Sequence, residues 1–329
     1  MQPAELLAEL ATGEPRSGVE LAARAGLTRA AVWKQIEALR ARGVPIEANG
    51  SAGYRLPWPV QLLDGKHIRT ALPAAILAKL GALEVHWELD STSSERQRRR
   101  ETAADLSVIL SESQSAGRGR RGRHWLSPPG LNLYLSCLKR FDAGFAALSG
   151  LSLAIGVVVV RALDALGARD VGLKWPNDVL ATAHGQPAGK LAGILVELNG
   201  EYLGPCVAII GIGLNLRLTD ALRAQLDQPA CDLAGLTGGT PPDRNRVAAT
   251  LIAALVEGLA QFERKGFAAF AAEYARHDLL RGRALRLTGA SGPRTGTGAG
   301  VDERGALLLQ RPDGSLQHVD SADVTVRRA

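Results

Sequence analysis

The chain has 329 residues, of which 46% are hydrophobic and 22% charged, and its formal net charge is +6. These figures describe a soluble globular protein with material for two or three domains, and the mild basic balance allows an anionic partner without demanding one. Its three cysteines (Cys137, Cys206, Cys231) are odd in number and far apart, which excludes a disulfide framework and a CxxC metal pair.

The N-terminus, MQPAELLAEL, lacks the basic and apolar regions of a signal peptide. The apolar run LSLAIGVVVV (151–160) ends at Arg161, too short to span a bilayer. Cys137 and Cys206 lie in apolar, strand-like runs and read as small buried residues in a reducing cytoplasm.

In chain order, residues 1–56 read as short helices followed by a hairpin. Ala4–Leu10 is apolar at helical spacing, and GVELAARAG is a helix stopped by Gly26. Thr28 is an N-cap for RAAVWKQIEALRARG, where Val32, Ile36 and Leu39 form one buried stripe. VPIEANGSAGYRL then reads as two strands around a turn, completing a winged helix-turn-helix. Its second helix would enter a DNA major groove, presenting Arg29, Ala30, Trp33, Lys34 and Arg40, with Lys34, Arg40 and Arg42 near phosphates. Trp33 either reads bases by apolar contact or packs on the wing. Residues 1–60 hold seven Lys/Arg against six Glu, so a winged helix that docks on protein is the competing reading.

PWPVQLLDG (57–65) reads as a linker. From 66 to 280 strands are predicted at 84–89, 107–113, 131–138, 171–175, 191–198 and 206–216, and helices over 143–167 and 242–276, an α/β or α+β domain of catalytic size. After Arg281 short strands with Gly and Asp-Gly turns predict a small β-barrel. The expected units are thus 1–60, 66–280 and 281–329.

Within SAGRGRRGRHW (115–125), Arg118, Arg120, Arg121 and Arg123 alternate with glycines between two strand-like flanks. Arginine forks suit phosphate and carboxylate oxygens, and glycine lets backbone approach a ligand while leaving the loop costly to order. A loop that closes over an anionic small molecule is the favoured reading, above a nucleic-acid-binding tail or a solvated charge run. In KWPND, Pro176 extends Trp175 and projects Lys174, Asn177 and Asp178 from a strand end, where the Asn and Asp oxygens suit Mg²⁺ or an ordinary Asx turn. Lys190 opens an apolar strand, either as an exposed cap or as a charge reaching a phosphate. GIGLN (211–215) marks a close backbone approach to a ligand. It is no dinucleotide fingerprint, no Walker A motif exists, the six histidines lack metal-ligand spacing, and RQRRR (96–100) reads as the wet face of a helix.

In this order DSTSS (90–94), QSAGRGRRGRHW (114–125), NLYLS (132–136), KWPND (174–178), GKLAGILVE (189–197) and GIGLN resemble the motifs of biotin–protein ligases. With the winged helix, the match is to the bifunctional type that is also the biotin operon repressor. The resemblance covers nearly the whole chain. It implies an α+β multidomain fold: an N-terminal winged helix-turn-helix, a central mixed-sheet domain of class II synthetase-like type, and a C-terminal SH3-like β-barrel. The implied activity uses ATP and Mg²⁺ to form biotinoyl-5′-AMP, then biotinylates a lysine of the biotin carboxyl carrier protein of acetyl-CoA carboxylase.

Carried over by position, Ser91, Thr92 and Gln114 would bind the biotin ureido ring. Arg118, Gly119 and Arg120 would lie along its carboxylate and the phosphate, with Arg118 and Lys190 the catalytic pair, and Trp125 would wall the nucleotide. Ser93, Arg121, Asn132, Gly193, Gly213 and Asn215 complete the implied biotin and adenylate set, Asn177 and Asp178 the Mg²⁺ or phosphate set, and Thr28, Arg29, Trp33, Lys34 and Arg40 the operator set. A cytoplasmic, ligand-promoted homodimer with no membrane partner is implied too. Ser93 departs from the Asn frequent there in the family, and ATAHGQPAG (181–189) lengthens the hairpin before Lys190. A biotin-sensing regulator without useful catalysis and a lipoate-type ligase stay open; the intact Lys190 and arginine loop argue against the former.

Overall fold

The computed structural model describes residues 2–289, 292–320 and 324–328. Helices α1 (Pro3–Leu10), α2 (Gly18–Ala25) and α3 (Arg29–Ala41) precede a short hairpin of β1 (Glu47–Ala48) and β2 (Tyr54–Arg55). Local chemistry sets each boundary. The Ser17 hydroxyl caps α2 by accepting from Glu20 N at 3.0 Å, and the Thr28 hydroxyl caps α3 through Ala31 N at 3.2 Å. Gly26, at φ 61°, ends α2. Val32, Ile36 and Leu39 are buried as their spacing requires, against Leu6, Leu10 and Leu21.

The linker is pinned to the next unit. Arg244 and Glu112 form a buried ion pair at 2.9 Å. Arg244 also donates to the Gln61 carbonyl at 2.8 Å, Glu112 accepts from Leu63 N, and Asn245 bonds Leu62 O and Asp64 N. Arg42, at the end of α3, bonds the Ser113 hydroxyl and pairs with Glu88 at 2.7 Å.

The central unit begins with α4 (Gly65–Ala71), α5 (Ala74–Leu77), β3 (Ala82–Leu89), α6 (Thr92–Arg98), β4 (Ser107–Gln114) and β5 (Leu133–Phe141). It continues through α7 (Leu151–Ala165), β6 (Val171–Lys174), β7 (Asp178–Ala183), β8 (Gln186–Gly200) and β9 (Cys206–Leu214), then α8 (Asp220–Arg223), α9 (Leu233–Leu236), α10 (Arg244–Lys265) and α11 (Ala268–His277). The seven strands run in the order β3-β4-β5-β9-β8-β7-β6; β3 and β4 are parallel and the other pairs antiparallel, a mixed sheet. α7 is apolar nearly all round and is buried between the sheet and α10 and α11. Along β5, Leu133, Leu135 and Cys137 enter the main core while Tyr134 and Ser136 alternate onto the other side. The C-terminal unit is an antiparallel sheet of β10 (Ala284–Gly289), β11 (Arg294–Val301), β12 (Leu307–Gln310), β13 (Leu316–Val319) and β14 (Val324–Arg328), ordered β13-β12-β11-β10-β14. It realises the expected small β-unit.

Several expectations shift. The helix expected over 143–167 starts only at Leu151, because Gly150 takes φ 79° and a side chain there would run into Phe267. The helix expected over 242–276 breaks at Gly266, φ 61°. Lys190 lies inside a strand that starts at Gln186, on the far side of a two-residue turn at His184 and Gly185. RQRRR is not all wet: Arg96 is buried and pairs with Glu84 at 2.7 Å.

Candidate active site

A cavity of about 730 Å³ opens on the central sheet, bounded by the start of α6, the loop 118–126, the 174–178 turn, β8, β9 and the segment 225–230. This volume suits a small molecule bound with a nucleotide. Ser91, Thr92, Ser93, Gln114, Arg118, Gly119, Arg120, Arg121, Trp125, Asn177, Asp178, Lys190, Gly193, Gly213 and Asn215 all line it. Among the expected ligand-site residues, Asn132 alone stands outside. Its buried side chain accepts from Leu216 N at 2.9 Å and Arg217 N at 3.2 Å, so it shapes the turn after β9 from behind the wall.

One end is neutral and polar. Ser91 caps α6, and Asp90, held by Arg98, accepts from Ser91 N at 2.7 Å. The Gln114 amide oxygen accepts from Thr92 N at 2.8 Å, and its nitrogen donates to Ser127 Oγ at 2.9 Å. Ser136 Oγ donates to Thr92 Oγ1 at 2.8 Å and lies 3.0 Å from Ser93 Oγ. Ser93 thus joins a row of hydroxyls, and Gly211 makes room for it: a Cβ there would sit 2.5 Å from Ser93 Oγ. Ser127 lies in a segment that reads only as a connection, so its part in this network was not legible beforehand, whereas Ser136 ends the NLYLS segment and Gly211 opens GIGLN, where a close backbone approach is expected.

The arginine loop is a folded flap. Gly119 N donates to Arg123 O at 2.8 Å and Trp125 N to Gly117 O at 2.9 Å, with a tight turn at Arg120–Gly122 in which Arg121 takes φ 60°. Arg118 forks onto the Glu197 carboxylate of β8 at 2.5 and 3.0 Å. Arg120 points inward and donates to Asn177 Oδ1 at 3.3 Å; burial pulls its guanidinium below the ordinary value, and the Asp178 carboxylate opposes that. Arg121 and Arg123 are exposed along the rim.

Lys190 is the most constrained cation. The β7–β8 register shifts between Val179 and Leu180, leaving Leu191 as an extra residue beside it. Lys190 N donates to Pro229 O, Lys190 O accepts from Cys231 N and from the Asn215 amide, and Leu191 O accepts from Asn215 N. Its ammonium lies 2.8 Å from Asp178 Oδ1 and 5.2 Å from the centre of the Trp125 ring. Trp125 lies flat against Gly193 and Gly213, where any Cβ would fall within 2.8 Å of the indole. Asn177 is fixed by Ile194, donating to its carbonyl at 2.9 Å and accepting from its N–H. Behind the turn, Trp175 donates to Gly305 O at 3.0 Å, tying the C-terminal sheet to the wall. Glu197 closes the GKLAGILVE segment with no role assigned to it there, and the 225–230 wall carries no motif of its own.

The expected operator set lies on the winged helix. Arg29, Trp33 and Lys34 are exposed on α3, the Thr28 hydroxyl is spent on the cap, and Arg40 turns back to donate to Ile46 O at 2.8 Å. Trp33 is 53% exposed, which removes the wing-packing reading.

The biotin/lipoate A/B protein ligase family matches residues 88–215, an HTH domain residues 4–55, and the biotin protein ligase C-terminal domain residues 282–327. The bifunctional ligase/repressor BirA of Escherichia coli is 37% identical over 99% of this chain and 98% of its own length. The biotin–[acetyl-CoA-carboxylase] ligase of Mycobacterium tuberculosis is 35% identical over 69% of this chain and 82% of its own. The structure of the Aquifex aeolicus biotin protein ligase in complex with biotin and ATP superposes with TM-score 0.62 at 29% identity, over 75% of this chain and 99% of that one.

Proposed function

The chain belongs to the biotin–protein ligase family, in its bifunctional ligase/repressor type, and we propose that it joins biotin to ATP as biotinoyl-5′-AMP and then biotinylates a lysine of the biotin carboxyl carrier protein of acetyl-CoA carboxylase. The observation that carries this reading is a single cavity in which a neutral hydroxyl and amide end, a cationic flap and Lys190 meet.

In the first step a biotin carboxylate oxygen attacks the α-phosphorus, a new O–P bond forms and pyrophosphate leaves. Lys190 is placed to balance charge on the α-phosphate as it builds, and Arg118 and Arg120 to hold carboxylate and phosphate oxygens. In the second step the acceptor lysine nitrogen attacks the acyl carbon and AMP leaves. The mixed anhydride hydrolyses if water reaches it, so a flap folded over the site protects it. The hydroxyl row supports a ureido-bearing acid over lipoate, whose apolar dithiolane ring would leave those polar groups unmatched.

Mg²⁺ suits the donor set as an ion carried by the triphosphate. Asn177 and Asp178 would hold it by oxygen, and it would neutralise phosphate charge. Among the described residues no cluster of three or more His, Cys, Asp or Glu forms a cage of its own.

The winged helix supports a repressor role for a ligand-promoted homodimer on a palindromic operator, formed by pairing of edge strands. The domain units 1–60, 66–280 and 281–329 follow from the same reading. Among the described residues no helix is long and apolar enough to cross a membrane, and the proposed place of action is the cytoplasm. Biotin-dependent exchange of pyrophosphate into ATP tests the ligase: exchange is expected with Mg²⁺ present, and its absence overturns the reading.

A further inference from the structure

Residues 1–60 hold seven cations, and five are committed within the protein: Arg16 to Glu20, Arg24 to Glu9, Arg40 to Glu37, Arg42 to Glu88 and Arg55 to Glu47. Arg40 is bound further by Ile46 O and by the Tyr54 ring, 5.9 Å from its guanidinium. Arg29 and Lys34 make no ion pair or hydrogen bond among the described residues, and both are exposed on α3. The wing adds no free cation, because its tip 49–53 is Asn-Gly-Ser-Ala-Gly and Arg55 is paired.

Trp33 stands one turn after Arg29, next to Lys34, and is 53% exposed. The core of the winged helix draws in Tyr54, Trp58 and Trp87 at its margin, and not Trp33. A face with two free cations and a large apolar ring offers little to a phosphate backbone and much to an apolar feature of the groove floor. In the major groove that feature is the thymine 5-methyl group, which a G·C pair lacks.

We propose that this chain reads duplex DNA chiefly through apolar contact of Trp33 with thymine methyl groups, with Arg29 and Lys34 as the two cationic phosphate anchors of each copy. The inference rests on the DNA-binding reading above. Each neutralised phosphate adds a slope of about −0.9 in log affinity against log salt, so raising salt from 50 to 200 mM weakens one copy about 12-fold and a two-copy complex about 150-fold, against the 10³–10⁵ of an interface with six to ten phosphate contacts.

The test uses full-length protein with biotin and ATP. Duplexes are selected from a random-sequence pool, and the selected duplexes are remade with deoxyuridine for thymine, which removes the methyl alone. Weakening of about fourfold per contacted methyl is expected. Trp33→Ala, checked for helix content by circular dichroism, binds both duplexes equally, and Trp33→Phe keeps part of the difference. Equal binding of the two duplexes by the native protein, a thymine preference that survives in Trp33→Ala, or a salt slope matching six or more phosphates overturns the inference while leaving DNA binding standing. If the folded protein enriches no duplex, the DNA-binding reading fails and the inference with it, and the face is left to a protein partner.

Discussion

Lys190 and Asp178 face each other across neighbouring strands, Nζ 2.8 Å from Oδ1, with the Trp125 ring packed on the same ammonium. The contact places a cationic head at a fixed point between the flap and the sheet. Removing it removes a donor aimed at developing phosphate charge, so Lys190→Ala is expected to slow adenylation by about 100-fold or more. Pyrophosphate exchange measures this, and a near-native rate takes Lys190 out of that role.

Arg118 forks onto Glu197, and this pair anchors the flap to β8. Both side chains are partly exposed, so the pair is worth at most about 1 kcal/mol. Glu197→Gln is expected to raise tryptic cleavage at the flap arginines by up to about fivefold without substrates. With biotin and ATP present, substrate oxygens take over the arginine and the difference disappears. Equal cleavage of native and variant protein without substrates shows that Glu197 holds nothing.

Gly213 approaches Trp125 so closely that a Cβ would sit 2.4 Å from the indole. Gly213→Ala is expected to push the ring out of the site. Misplacing a site wall by about 1 Å costs on the order of 100-fold in rate, while helix and strand content stay native. Exchange kinetics beside circular dichroism separate this from unfolding.

Trp175 Nε1 bonds Gly305 O. Trp175→Phe strands that carbonyl at the junction between the C-terminal sheet and the turn bearing Asn177. A loss of about 1–3 kcal/mol is expected in urea unfolding, accompanied by slower adenylation. A stability loss with full activity would separate the junction from the site.

Asp90 sits at the start of the hydroxyl row, and the bond from Arg98 holds its carboxyl at about 2 against an ordinary 3.8. A carboxyl depressed on folding stabilises the fold above its ordinary value, and that contribution fades as pH falls towards 2. The stability gap between native protein and Asp90→Asn is therefore expected to hold above about pH 4 and close below it; denaturant unfolding across that range measures it.

Much of this was legible from residues alone. The cap at Thr28, the stripe Val32, Ile36, Leu39, and the glycine-arginine and KWPND segments act locally, so spacing exposed them. Asn132 stands behind the wall, bonded to Leu216 N and Arg217 N, and a buried carboxamide clamping backbone looks, in sequence, like one facing a ligand. The breaks at Gly150 and Gly266 escaped because a helical pattern runs across both, and at Gly150 the close approach of Phe267 leaves no room for a side chain. Glu197 and Ser136 fall inside quoted segments, but their partners Arg118, Thr92 and Ser93 are set by tertiary packing, as is Ser127's bond to Gln114, and no short motif encodes that.

The buried Arg244–Glu112 pair grips the backbone of residues 61 and 63, while Asn245 grips 62 and 64. The winged helix is therefore carried like a tool head on a rigid shank. Two copies joined by their bodies would present their reading helices at a separation the protein itself dictates. Half-sites would then be tolerated only near that spacing, and inserting half a helical turn between them would turn one head away from its groove.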